Sequence, residues 1–169
     1  MKICPKKSGK LKIVVFGPYH AGKSSFIQSI DSTARRTDAT TADGSSTTVA
    51  IDFGRTMIGS TRVYLFGTPG QERFEFVRDL IARGLDGAIL LIDATVGVVS
   101  LHQELQQRLR SEGIPLTFFV NKSGSCSIAS RWDEVLQGEQ VHEISALDPV
   151  SSRRALEAFV QQIPSLRKK

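Results

Sequence analysis

The chain has 169 residues, 40% of them hydrophobic, 7% aromatic and 23% charged. That length predicts one domain with a core large enough to do without disulfides or a structural metal, and the composition excludes a disordered chain, a collagen-like repeat and a disulfide scaffold. The formal net charge of +5 comes from 22 Lys and Arg against 17 Asp and Glu. Much of the excess lies in residues 1–10 and 164–169, which read as basic tails around a domain spanning 11–163. Basic and aromatic residues do not interleave as a nucleic-acid surface needs, so neither nucleic acid nor a membrane is expected as a partner. Cys4 and Cys126 lack metal-ligand spacing, and no apolar run is long enough to span a bilayer. A soluble cytoplasmic protein is the expectation.

Strand and helix patterns then alternate. Leu11–Phe16 is a short β-branched apolar run ending at Gly17, as in a strand buried on both faces. A helix follows over 22–30, with Phe26, Ile27 and Ile30 on one face. Residues 31–47 are nearly all Ser, Thr, Asp, Ala, Arg and Gly, which predicts a long loop of functional kind. Val49–Ile58 and Arg62–Phe66 read as strands joined by a turn at Gly59-Ser60, an antiparallel hairpin. Ala88–Ile92 and Leu116–Val120 are further apolar runs. Leu101, Leu105 and Leu109 recur at helical spacing between them, and Leu156, Phe159, Val160 and Ile163 mark a final helix. The expected fold is a single α/β domain: a six-stranded, mostly parallel sheet with one antiparallel edge strand and helices on both faces.

The segment Gly17 to Ser24, GPYHAGKS, matches GxxxxGK[ST] and lies where that motif must, after a buried strand and before a helix. Glycines let the backbone curl until successive N–H groups face one anion, and the helix N-terminus adds its dipole. Lys23 can reach terminal phosphates, and the Ser24 hydroxyl can ligate Mg²⁺. The pattern predicts a nucleoside-phosphate site in a P-loop NTPase domain.

Further segments, in order along the chain, are STTVAIDF (46–53), LFGTPGQERF (65–74), FVNK (119–122) and ISAL (144–147). With the phosphate loop, they make the chain resemble the Ras-like small GTPases over about 150 residues, in a form with Thr-Pro-Gly-Gln closer to the prokaryotic, MglA-related kind. The resemblance implies GTP or GDP with Mg²⁺ as ligands. It implies that Gly17, His20, Ala21, Gly22, Lys23, Ser24, Ser25 and Gly70 surround the phosphates. Asn121, Lys122, Ser145, Ala146 and Leu147 would surround the base, with the Ala146 N–H meeting the guanine oxygen. Ser24 and Thr48 would hold the metal, Thr47, Thr40 and Thr41 being alternatives to Thr48. Lys23, Thr48 and Gln71 would carry catalysis, Gln71 by orienting the attacking water.

Three departures from the family pattern stand out. Gly67 replaces the aspartate that holds Mg²⁺ through water, and no other carboxylate is obvious in the sequence. Asp93 ends an apolar run like a Walker-B aspartate, but a structural role is the expectation. Gly124 replaces the aspartate of NKxD, which in the family accepts two hydrogen bonds from guanine; Ser123, Ser125 and Asp148 are the candidate substitutes. Tyr19 and His20 stand where the family has small residues, and Tyr19 could shield the γ-phosphate. Arg35, Arg36, Arg55 and Arg73 are candidates for an internal arginine finger. What the resemblance implies is a slow GTPase acting as a molecular switch, with protein regulators or effectors reading residues 38–53 and 68–83. Phe74 and Phe76 are possible contacts. The alternatives are a nucleotide-binding scaffold without turnover and an NTPase that separates guanine from adenine poorly.

Overall fold

The computed structural model describes residues 9–40, 48–69, 84–125, 136 and 138–166. Its elements run β1 (Lys10–Phe16), α1 (Lys23–Ile30), β2 (Arg35–Thr40), β3 (Thr48–Ile58), β4 (Thr61–Gly67), β5 (Gly87–Asp93), α2 (Ser100–Ser111), β6 (Leu116–Asn121), a 3₁₀ turn (Ser123–Ser125), β7 (Val141–Ile144) and α3 (Pro149–Leu166). One sheet of seven strands has the order β2-β3-β4-β1-β5-β6-β7. β1 lies at its centre, parallel to β4 and β5, with β6 and β7 continuing the parallel set.

Alternation along β1 divides the core. Ile13 and Val15 point to one face, where they meet Phe26 and Ile27 of α1 and Leu156, Phe159 and Ile163 of α3. Val14 and Phe16 point to the other, where Leu105 and Leu109 of α2 close over Leu90, Ile92 and Phe118. Every residue of β5 and of β6 is buried, so their continuous apolar runs reflect helix cover on both faces. No helix among the described residues is long and apolar enough to cross a membrane.

The α/β class and the helices on both faces agree with the sequence reading, as does the hairpin turning at Gly59. Two features of the sheet differ. Arg35–Thr40, read as part of a loop, forms β2 and pairs antiparallel with β3 from Arg35↔Phe53 to Thr40↔Thr48, bringing the sheet to seven strands. An edge strand needs only its backbone to join the ladder, and charged residues are commonplace there, so the absence of large apolar residues hid it. The antiparallel strand, β3, is therefore second from the edge rather than at it.

The parallel strands β1, β5 and β6 end together, and loops from all three meet at one end of the sheet. In open α/β sheets that is where ligands bind.

Candidate functional site

The loop after β1 is built by glycine. A Cβ at Gly17 would lie 2.6 Å from the Leu91 carbonyl oxygen, so only glycine lets the loop pass so close to β5. Gly22 caps α1 at φ 101°, and a Cβ there would lie 2.5 Å from Asn121 Nδ2. Between them the Ala21 N–H donates to Pro18 O at 3.2 Å, and the Phe26 N–H closes the first helical turn onto Gly22 O. Lys23, only 8% exposed, curls back over the loop and donates to the carbonyls of Gly17 and Pro18, the latter at 2.8 Å. Its charge is thus held over the loop at the N-terminus of α1, the place where anions are favoured.

Ser24, next on α1, donates its hydroxyl to Asp52 Oδ2. Asp52 lies on β3 and is the register partner of Gly67 on β4. A Cβ at Gly67 would lie 3.3 Å from Asp52 Cβ and 2.9 Å from Ile27 Cδ1. The glycine that replaces the family's metal-binding aspartate therefore leaves room for an acid on the neighbouring strand, and that acid reaches the same serine. Sequence reasoning missed Asp52. Its signal was an acid on the face of β3 that includes Gly54, where a Cβ would lie 2.8 Å from Ile27 of α1. The hydroxyl and carboxylate oxygens of Ser24 and Asp52 suit a hard cation such as Mg²⁺, which takes one or two carboxylates and completes its shell with water and phosphate.

At the other end Asn121 ties three loops together. Its Nδ2 donates to Ala21 O at 3.1 Å, and its Oδ1 accepts the Ala146 N–H at 3.0 Å. The Ala146 N–H expected to meet guanine is thus engaged with Asn121 here. Lys122, at φ 66°, sends its ammonium to His20 O at 3.0 Å and to Asp93. Asp93 also accepts the Thr95 N–H and hydroxyl at 2.9 and 2.6 Å. Burial pushes its carboxyl up, but the hydrogen bonds from Lys122 and Thr95 outweigh that and hold it below the usual carboxylate range. Asp93, the last residue of β5, thus positions Lys122.

A cavity of about 610 Å³ opens beside these residues, lined among others by His20, Gly22, Ser25, Asn121, Lys122, Ser145, Ala146 and Leu147. It brings His20, Gly22 and Ser25 of the phosphate loop together with the predicted base residues, whereas Gly17, Lys23, Ser24 and Thr48 are not among its lining residues. Ser145 is fixed by Ser151 Oγ on its N–H and Ser152 Oγ on its carbonyl, at 3.1 and 3.2 Å, whereas Leu147 is 82% exposed. Ser123 and Gly124 also line the cavity, and a Cβ at Gly124 would meet nothing within 4 Å among the described residues. Asp148 is not among the lining residues; its carboxylate accepts the Val150 N–H at the start of α3. Tyr19 is 72% exposed, its ring edge-on to His20 with centroids 4.0 Å apart. Thr48 opens β3 paired with Thr40. Gly70, Gln71, Arg73, Phe74 and Phe76, like Thr41 and Thr47, lie outside the described residues.

A family model described as "50S ribosome-binding GTPase" matches residues 12–122. An uncharacterized protein of Methanocaldococcus jannaschii is 34% identical over 118 residues, which cover 69% of this chain and 73% of that protein. The tetracycline resistance protein TetM of Enterococcus faecalis is 36% identical over 119 residues, 68% of this chain but only 18% of TetM. Among solved structures, the G domain of the T. maritima FeoB iron transporter has a TM-score of 0.70 at 17% identity, covering 92% of this chain and 99% of that domain. Elongation factor SelB of Methanococcus maripaludis has a TM-score of 0.69 at 17% identity, covering 95% of this chain and 35% of SelB. At such identities the structural likeness is one of fold.

Proposed function

The chain belongs to the GTPase family described as "50S ribosome-binding GTPase", and from that premise we propose that it is a slow GTPase and molecular switch of the prokaryotic, MglA-related kind. The observation that carries this reading is the pairing of Ser24 with Asp52 beside the buried Lys23. A hydroxyl and a carboxylate stand together at the N-terminus of α1, next to a fixed cation, although the usual motif aspartate is absent.

In this reading Lys23 and the loop N–H groups from Gly17 to Ser25 bind the phosphates, and Ser24 and Asp52 hold Mg²⁺. The bound metal supplies neutralisation of the charge that develops on the phosphate oxygens. Thr48 closes on the γ-phosphate side, and Gln71 orients the attacking water. Catalysis is then mostly alignment and charge stabilisation. Asn121 and Lys122 hold the base loop against the phosphate loop, so both ends of the nucleotide see one rigid frame. Regulators or effectors read residues 38–53 and 68–83, and the protein acts in the cytoplasm.

Phosphate release from GTP under multiple turnover tests the proposal. It predicts turnover on the order of 10⁻⁴ s⁻¹ or faster, lost in Gln71→Leu while GTP still binds. Tight GTP binding with no turnover would instead mark a scaffold.

A further inference from the structure

With Gly124 in place of the NKxD aspartate, the base end lacks its usual reader, and the structure narrows the substitutes. Asp148 is held at the start of α3 and does not line the cavity. Ser123 does line it, but a hydroxyl is a single oxygen and cannot match two parallel donors. Glu143, which the sequence reading did not consider, lines the same cavity with Ser123 and Gly124.

Its place follows from strand register. Val120 of β6 pairs with Glu143 of β7, one step before Asn121 pairs with Ile144. Register partners share a face, so Glu143 stands on the face of Val120, which packs with the α2 core; Ile144 turns to the α1 and α3 core. The loop after β6, carrying Gly124, leaves the sheet beside it. Glu143 is exposed, and among the described residues it has no ion-pair or hydrogen-bond partner. It is also the only carboxylate among the described residues that line the cavity.

We propose that Glu143 is the guanine-reading residue of this chain, accepting the N1–H and 2-amino hydrogens of the base across the space left open at Gly124. The chemistry is selective. Guanine presents two donors on that edge, which a carboxylate's two oxygens can accept together. Adenine presents an acceptor nitrogen there and would face the carboxylate unpaired. The inference rests on the guanine-nucleotide reading above and adds the residue that makes the choice.

The test is competition of GDP, IDP and ADP against a fluorescent GDP analogue on the full chain, with Mg²⁺ present. IDP differs from GDP only by lacking the 2-amino group. Wild type should prefer GDP to IDP by about 10-fold or more, one hydrogen bond to a charged acceptor. In Glu143→Ala that ratio should fall to within about 2-fold, with ADP binding little changed. In Glu143→Gln, xanthosine diphosphate, whose C2 carbonyl accepts where guanine donates, should gain on GDP. Glu143→Gln keeps the side-chain shape and serves alone if the alanine variant does not fold. An unchanged GDP-to-IDP ratio in the folded variants would overturn the assignment. A wild type that binds GDP and ADP equally would overturn the guanine reading itself, whatever the variants do.

Discussion

The two ends of the nucleotide site have each lost a motif carboxylate, and they differ in what stands in its place. At the phosphate end, Gly67 has an acid directly across the ladder on β3, already bonded to Ser24. At the base end, Gly124 faces open space, and the nearby acid, Glu143, is exposed and unpaired among the described residues. A metal needs its ligand at a fixed distance, which a packed strand provides. A base brings its own plane and donors, so its reader can wait in solvent. In the proposed reading, a motif is lost from the sequence while an acid on the next strand stands ready to supply its chemistry.

Variants can break or sharpen that contrast. The largest effect should come from Lys23→Ala, because its ammonium is the buried cation at the phosphate end, held there by the Gly17 and Pro18 carbonyls. Losing charged hydrogen bonds at about 1.5–3 kcal/mol each should weaken GTP binding by roughly 10²-fold or more, read by the same competition titration. Gly22→Ala should come next, since φ 101° and a Cβ 2.5 Å from Asn121 Nδ2 strain the joint between the two ends. A loss of about 1–3 kcal/mol in denaturant unfolding is expected. Gly124→Asp, placed in open space, should fold normally and restore guanine preference by about 10-fold in the Glu143→Ala background.

The smallest effect lies away from the site, at His102 of α2. Its Nδ1 accepts the Val99 N–H at 3.1 Å, so its Nε2 carries the proton and donates to Leu91 O at 3.0 Å. Burial is the main cause that holds His102 below its ordinary pKa of 6.5, against the hydrogen bond to Leu91 O. The folded state therefore prefers the neutral ring and the unfolded state takes the proton first. Its contribution is complete above about pH 6.5 and is lost as pH falls toward the depressed folded value, by up to about 1.4 kcal/mol per pH unit. His142, also held low by burial, adds in the same direction. Melting curves at pH 7.5 and 5.5 should show a smaller acid loss in His102→Leu than in wild type.

What the sequence disclosed follows from where the constraint lies. β1, β5 and β6 were legible because strands covered on both faces must be continuously apolar. The phosphate loop was legible because its backbone path dictates residue types at fixed offsets, as Gly17 and Gly22 show. β2 was hidden because its pairing uses only backbone groups. Asp52 was hidden for a different reason: its meaning depends on which residue stands opposite in β4, and a pairing of 52 with 67 is not written locally in either strand. Glu143 was hidden in the same way, since only the β6–β7 register brings it beside the loop that contains Gly124.

The most direct test of the account is the rate of GDP release with Mg²⁺ and with EDTA in wild type, Asp52→Ala and Asp52→Ala/Gly67→Asp. A cation held by Ser24 and Asp52 predicts that EDTA speeds release from wild type by about 10-fold or more and barely alters release from Asp52→Ala. The double variant moves the acid back across the ladder, where the flexible end of Ile27 must yield and the Cβ of residue 52 must give by a few tenths of an ångström, and should regain the response. An Asp52→Ala protein that responds to EDTA as wild type does would contradict the account.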